Sequence, residues 1–407
     1  MFHFDAEGIF EPFFLKPKYF LSPQGISNNK NLRHMMNKIA KKLMTLGTVA
    51  ALAGAVSVAN AETLKIGLAG PATGPVAQYG DMQKIGVMAA IDDINKAGGI
   101  NGMQLEGVIY DDACDPKQAV AVANKIVNDG VQHVVGHLCS SSTEPAADIY
   151  DEEGVLMITA ASTSPTITEK GFQLVFRTIG LDSLQGSLAA DHILNSVKPQ
   201  RVAVIHDKQQ YGEGLATAVK TKLEGNNLNP VMFEGVTPGD KDFSALIAKL
   251  KKNNIDFVYY GGYHPELGLI LRQSSEKGFK AQFMGPEGVV NSDLAKIAGK
   301  AVEGVLATAP KSFDQNAVNQ ARVEAIKAKG EDPTGPFVFT AYAAVEVMTN
   351  AMKATGKTDP FELADHIRAT ELDTAIGKVK YNKQGDLTES TFLVYKLHQD
   401  GSKTPAQ

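Results

Sequence analysis

The chain has 407 residues, of which 43% are hydrophobic and 21% charged, and its formal net charge is -5 at pH 7. That length suits two or three domains each able to bury a core, and the composition excludes disordered and fibrous classes. A mildly acidic chain with no basic run in its folded part has no broad attraction for phosphate backbones or anionic lipid, so nucleic acid is not an expected partner.

Near the N-terminus, Lys38, Lys41 and Lys42 precede an apolar run at 43–58 that closes on Ala59, Asn60 and Ala61. A charged region, an apolar region and a small-x-small site in that order form a secretory signal peptide, placed at 36–61. A buried alanine-rich helix is the alternative, but it needs neither the lysines nor the cleavage site. The mature protein is expected to begin at Glu62 and to be free in the periplasm, since no cysteine ends the apolar run and no later run is long enough to span a bilayer. Residues 1–35, with Phe4, Phe10, Phe13, Phe14 and Phe20 ahead of Met35 and Met36, read as an upstream extension absent from the mature protein.

From residue 62 onward, short β-branched runs alternate with amphipathic stretches ending in Gly or Pro, the pattern of parallel sheets covered by helices. A strand at 64–69 leads to a helix from about Tyr79 that stops at Gly98 and Gly99, a C-terminal signal. A strand at 105–110 follows, and then Asp115 and Pro116 open a helix as cap and first residue, ending at Gly130. Strands at 131–136 and 155–159 flank a helix beginning near Thr143. After Asp182 a second series starts, with strands at 201–206, 231–236, 257–261 and 282–284 separated by helices from Gly212, Asp242 and Pro265. Past Pro310 come helices at 315–329 and 337–354 and a last strand at 391–397. Two α/β units result, and this pattern does not say which of them the tail joins. No internal period marks a solenoid.

Cys114 and Cys139 are the only cysteines. In an oxidising compartment a lone pair forms a disulfide, here closing a loop of about 25 residues worth roughly 3 kcal/mol; two reduced core cysteines are the alternative. Without a C-x-x-C, and with His133 and His137 at strand spacing among apolar residues, no metal site is expected.

The first strand leads into Gly67-Leu68-Ala69-Gly70-Pro71, which lacks the glycine spacing of a dinucleotide loop, and neither a phosphate-binding loop nor a G-x-S-x-G elbow occurs. His206, Asp207 and His264 have no sequence-local nucleophile. Neither catalysis nor a cofactor is expected. Ligands of open α/β sheets lie beyond the carboxyl ends of the strands. There Leu138 and Cys139 precede Ser140, Ser141, Ser142 and Thr143, whose hydroxyls and amides at a helix start suit a carboxylate, unless the serines are simply caps. Ala161, Ser162, Thr163, Ser164 and Pro165 carry the same two readings. Tyr79, Tyr211 and Tyr263, at or just past strand ends, form either an amphipathic wall or ordinary interfacial packing. Glu287, in Gly285-Pro286-Glu287-Gly288, is a carboxylate on a constrained turn, solvated or set to receive an ammonium group.

Six stretches carry a family resemblance: GPVAQYGD at 74–81, YDDACDPKQAVAVANK at 110–125, GHLCSSST at 136–143, HDKQQYGEG at 206–214, NIDFVYYGGYHPE at 254–266 and FMGPEGV at 283–289. They spread over both units, and from residue 62 on the chain resembles the branched-chain amino acid (Leu/Ile/Val) binding proteins of Gram-negative bacteria, the ligand-capturing components of ABC importers. The resemblance implies a two-lobed type I periplasmic binding protein, each lobe a parallel sheet flanked by helices. Lobe one would comprise 62–181 and 311–390, lobe two 182–310 and 391–407, with closure about the connecting strands. It also implies a Cys114–Cys139 disulfide, a monomer, and a permease in the inner membrane as partner.

Position by position, the resemblance implies that Ser140 and Thr163 hold the ligand carboxylate, and that the Ala161 carbonyl and Glu287 meet its ammonium group. Tyr211 and Tyr263 would come from the second lobe, while Tyr79, Leu138, Cys139 and Phe337 line an aliphatic pocket. The positive side of the site would be supplied by dipoles rather than by arginine. Ser162 stands where relatives often have alanine, and is expected to change local hydrogen bonding without changing the ligand class. Tyr79 stands where a leucine-restricted relative has tryptophan, which leans toward broad Leu/Ile/Val use. A periplasmic amino acid or amide sensor of the same fold and a secreted α/β hydrolase are the alternatives; a fused signalling domain would mark the first, turnover of esters or amides the second.

Overall fold

The computed structural model describes residues 63–406; the signal peptide and upstream extension expected at 1–61 lie outside the described residues. The first sheet has the order β2-β1-β3-β4-β5. Its strands are β1 (Thr63–Gly70), β2 (Gln104–Asp111), β3 (His133–Val135), β4 (Leu156–Thr159) and β5 (Val175–Arg177), all parallel. Between them run α1 (Ala77–Lys96), α2 (Pro116–Asn128), α3 (Ser140–Glu152) and a helical turn at Thr166–Glu169. β1 is buried without interruption from Ile66 onward, as a central parallel strand covered on both faces must be. The side chain of Asp115 accepts from the amides of Lys117 and Gln118 with Pro116 behind it, so α2 starts where its cap predicts. α1 stops before Gly98 and Gly99, both at positive φ.

The chain then enters the second sheet through α4 (Asp182–His192). This sheet has the order β14-β13-β10-β9-β8-β6-β7. Its parallel part consists of β6 (Val202–His206), β7 (Met232–Gly235), β8 (Phe257–Gly261), β9 (Gln282–Gly285) and β10 (Leu306–Pro310). Around it lie α5 (Gln210–Gly225), α6 (Ser244–Lys252), α7 (His264–Glu276) and α8 (Ser292–Ala298).

Beyond β10 the tail forms α9 (Gln320–Ala328), α10 (Val338–Thr355), α11 (Pro360–Ala369) and the hairpin β11 (Leu372–Thr374) and β12 (Gly377–Val379). These pack on the first sheet: Val338, Ala341, Tyr342, Val345 and Met348 share a core with Ile66, Leu68, Val87 and Ile158. The last strands, β13 (Phe392–Leu397) and β14 (Lys403–Pro405), return to the second sheet, where β13 runs antiparallel to β10. The chain therefore passes between the sheets three times, and the passes touch: the Lys311 amide donates to the Thr391 carbonyl at 3.3 Å.

Some elements differ from the sequence expectation. β5, β10, α4, α8, α11, the β11–β12 hairpin and β14 were not anticipated, and the three-residue strands among them carry too little periodicity. The helix expected at 315–329 begins only at Gln320, after 3-10 turns at Phe313–Gln315 and Ala317–Asn319. Asn319 gives its amide to the carbonyls of Phe313 and Ala375, fastening that segment to the hairpin instead. Cys114 and Cys139 form a disulfide with their Cα atoms 5.6 Å apart, tying the β2–α2 loop to the head of α3.

α1 and α10 meet at Gly86, where an added Cβ would lie 2.0 Å from the Val338 carbonyl oxygen. Backbone cannot yield as a side-chain tip can, so Gly86→Ala is expected to destabilise the fold by about 2 to 3 kcal/mol. Urea unfolding measures this, and an unchanged midpoint with unchanged slope would refute the close approach. Among the described residues no helix is long and apolar enough to cross a membrane.

Candidate functional site

The loops after β1, β3 and β4 meet those after β6, β8 and β9, and the expected site residues gather there. Tyr79, Leu138, Cys139, Ala161, Tyr211, Tyr263 and Phe337 share one buried cluster, and Ser140, Ser162, Thr163 and Glu287 are buried as well. The tyrosines expected at or just past strand ends all lie beyond the strands themselves. Tyr79 and Tyr211 lie in the first turns of α1 and α5, and Tyr263 immediately precedes α7.

The tyrosine at 79 is the centre of the aromatic wall. Its ring centroid is 5.4 Å from Phe337 and 5.4 Å from His264, both edge-on, and 6.3 Å from Tyr263, which in turn lies 5.2 Å from Tyr211. Its hydroxyl donates to the Gly288 carbonyl at 2.7 Å and accepts from the Asn291 amide, while the Gly288 amide donates to Tyr211 Oη at 3.1 Å. The same hydroxyl therefore walls the apolar space and joins the two sheets. Gln78 adds a second tie to Ser292 at 3.1 Å, and Gln210 a third to Thr166 at 2.7 Å.

On the opposite side stands the head of α3. No side chain caps this helix, so the serines do not act as caps, and the amides of Ser140 and Ser141 have no backbone carbonyl to bond, whereas those of Ser142 and Thr143 donate to the Cys139 carbonyl. The Ser140 hydroxyl accepts from the Ser164 amide at 3.4 Å. Ser162 is occupied locally: its Oγ lies 2.8 Å from the Leu138 carbonyl and 2.5 Å from Thr143 Oγ1. Thr159 Oγ1 donates to the His137 carbonyl at 2.7 Å, so the loops after β3 and β4 are stitched into one surface. His137 is sandwiched beneath it between Asp112 at 2.6 Å and Tyr150 at 2.9 Å, and His133 lies against the Thr358 carbonyl at 2.9 Å. Both histidines are thus tied up in packing. Among the described residues no group of three or more His, Cys, Asp or Glu is placed to hold a metal ion.

Acidic groups complete the site. The Asp182 amide donates to the Thr163 carbonyl at 2.9 Å, and Gln185 Oε1 accepts from the Glu287 amide at 3.3 Å and from Thr308 Oγ1 at 2.8 Å. Thr163 Oγ1, Asp182 Oδ2 and Glu287 Oε2 are all buried with no hydrogen-bond partner in the protein. Burial pushes the Glu287 carboxyl well above the usual carboxylate range, and the neighbouring Asp182 carboxylate adds to the shift. Burial raises Asp182 likewise, against the opposing pull of Arg177. Three unpartnered buried oxygens, two of them on carboxyls, are costly unless something donates to them, and an ammonium group has three donors.

Sequence reasoning missed Asp182, Gln185, His264 and Asn291 as members of this site. Had 175–177 been read as a strand, Asp182 would have fallen just past a strand end and drawn notice. It also missed the arginine: Arg177 is fully buried under the 161–165 loop, so a formal positive charge does lie beside a site expected to rely on dipoles alone.

A family profile described as "Periplasmic binding protein" matches residues 63–402. The chain is 55% identical over 370 residues to the leucine-, isoleucine-, valine-, threonine- and alanine-binding protein of Pseudomonas aeruginosa, covering 91% of this chain and 99% of that one. It is 54% identical over 369 residues to the Leu/Ile/Val-binding protein of Escherichia coli, covering 89% and 100% of the two chains. Its fold superposes on the branched-chain amino acid transporter substrate-binding protein of Streptococcus pneumoniae, solved in complex with isoleucine, with a TM-score of 0.77 and 26% identity over 84% of this chain and 98% of that one. With two helix-flanked sheets, three passes between them and a buried site where their loops meet, the chain belongs to the periplasmic binding protein family.

Proposed function

We propose that this protein is the substrate-binding component of a branched-chain amino acid ABC importer, capturing leucine, isoleucine or valine in the periplasm as a monomer and delivering it unaltered to an inner-membrane permease. One observation carries the reading: three unpartnered buried oxygens on Thr163, Asp182 and Glu287 lie beside an aromatic and aliphatic wall. A zwitterion leaving water needs both charges met, and its branched side chain needs a dry pocket. Ser140, Thr163 and the first amides of α3 would donate to the carboxylate, and the Ala161 carbonyl, Glu287 and Asp182 would accept from the ammonium. The identities of the relatives above support the same ligand class.

In this reading the lobes divide at 181/182, 310/311 and 390/391, where the three passes run side by side. Ligand favours the closed form because contacts from both lobes are complete only there. Saturating leucine is expected to reduce the radius of gyration seen by small-angle X-ray scattering, and an unchanged radius would count against closure. The ligand itself is tested by a thermal-shift screen of the refolded chain from Glu62 onward against the twenty amino acids and a few amides. A ligand at about 1,000 times its dissociation constant adds roughly 4 kcal/mol. Shifts with leucine, isoleucine and valine are the expected result; shifts with none of them but with another solute would overturn the ligand assignment while leaving the fold intact.

A further inference from the structure

We propose that Arg177, held by Asp386, is a positioning residue of the ligand cradle: it fixes the loop bearing Ala161 and Thr163 and supplies the buried positive charge that keeps Asp182 and Glu287 ready for an ammonium group. The inference rests on the ammonium site described above. Arg177 ends β5 with no exposure to solvent, and each edge of its guanidinium is engaged. Nη1 donates to the Ser162 carbonyl at 2.8 Å, and Nη2 to the Ser164 carbonyl at 3.2 Å and to Thr168 Oγ1 at 2.8 Å. Nε lies 2.7 Å from Asp386 Oδ1. The two carbonyls flank Thr163, so the planar fork sets where Thr163 stands, and with it Ala161 on the other side of Ser162.

Asp386 is built in with equal care. Thr168 Oγ1 lies 2.8 Å from its Oδ1, and its own amide donates to Asn382 Oδ1 at 2.9 Å. The Arg177 amide donates to the Gly385 carbonyl at 3.1 Å, so the tail loop and β5 are joined by backbone as well as by charge. The tail loop at 382–386 thus has a role in the site without lining it, whereas Phe337 of the same tail packs on Tyr79 directly.

The charges can be counted. Arg177 faces Asp386 and Asp182; Asp182 faces Arg177 and Glu287, with Gln185 on its own helix and Tyr211, Tyr259 and Tyr263 from the second sheet's elements. One cation therefore balances three buried acids. Without it, Asp182 and Glu287 would take up a proton at higher pH and lose their hold on an ammonium group; without the negative charge of Asp386, the cation would act on them more strongly and they would stay ionised to lower pH. The two substitutions have opposite signs, which a purely structural role would not produce.

The test is calorimetric titration of leucine across a pH series, using the mature chain with Arg177→Met and Asp386→Asn. Arg177→Met is expected to move the acid midpoint of binding up by about one pH unit and to weaken binding at neutral pH more than about tenfold; Asp386→Asn is expected to move the midpoint down. Midpoints that stay put, or move in the same direction in both variants, would overturn the proposal even if affinity falls. If Arg177→Met does not fold, the direction of the Asp386→Asn shift decides alone. A wild-type chain that binds no leucine at any pH would overturn the ammonium-site reading and this proposal with it, whereas normal wild-type binding with unmoved variant midpoints removes only the role of Arg177.

Discussion

Glu287→Gln is expected to weaken leucine binding by about 2 to 4 kcal/mol, or roughly 30-fold to several-hundred-fold. The side chain is 1% exposed and sits on a 3-10 turn right after β9, so backbone geometry aims it at the site and water cannot replace a lost partner. Glutamine keeps the size but removes the charge, leaving the ligand ammonium against a neutral dipole and Asp182. Because Asp182 stays, binding is weakened and not abolished.

The same pair makes binding depend on pH, and the sign follows from the direction of the shifts. Both carboxyls are pushed above the usual carboxylate range by burial, and the Asp182 carboxylate raises Glu287 further. An ammonium ligand needs them ionised, so affinity is full above their raised pKa values and falls as pH drops through them. Loss therefore begins at a higher pH than for an exposed carboxylate near about 4. Near that transition, leucine binding should release protons, seen as a binding enthalpy that varies with the ionisation enthalpy of the buffer. An affinity that holds flat from about pH 8 to about pH 5 would show that these carboxyls do not carry the ammonium.

The second large effect concerns stability. Replacing both Cys114 and Cys139 by serine is expected to cost roughly 3 kcal/mol, since the bridge closes a sequence separation of 25 residues in the unfolded chain. For a chain of this size that is a fall of about 4 °C in unfolding midpoint. Function should feel it too. Cys139 is the residue before Ser140 at the head of α3, and its partner holds the β2–α2 loop against that point, so freeing the pair loosens the carboxylate end. Scanning calorimetry with and without leucine measures both consequences; a midpoint within about 1 °C of wild type would mean that native packing, not the bridge, restrains this loop.

Much of the molecule was legible in one dimension. Asp115 and Pro116 started α2 where a cap and a preset φ place a helix, and Gly98 with Gly99 marked the end of α1. Uninterrupted burial made β6 and β8 readable as central parallel strands. Tyr79, Ser140, Thr163, Tyr211, Tyr263 and Glu287 were found because strand ends in an α/β sheet concentrate polar and aromatic groups. Short elements such as β5 and β10 left no comparable trace, and with β5 unread neither Arg177 nor Asp182 could be placed.

The amino-acid order by itself determined the alternation of strands and helices, the caps, the cysteine pair and the residue types at the strand ends, because each depends on neighbours a few positions apart. The tertiary structure alone decided that α10 covers the first sheet, that β13 pairs with β10, that Tyr79 bonds Gly288 across 209 positions, and that Asp386 meets Arg177 beneath the site. Those pairings are settled by which buried surfaces and charges can satisfy each other at long range, and no local periodicity encodes that.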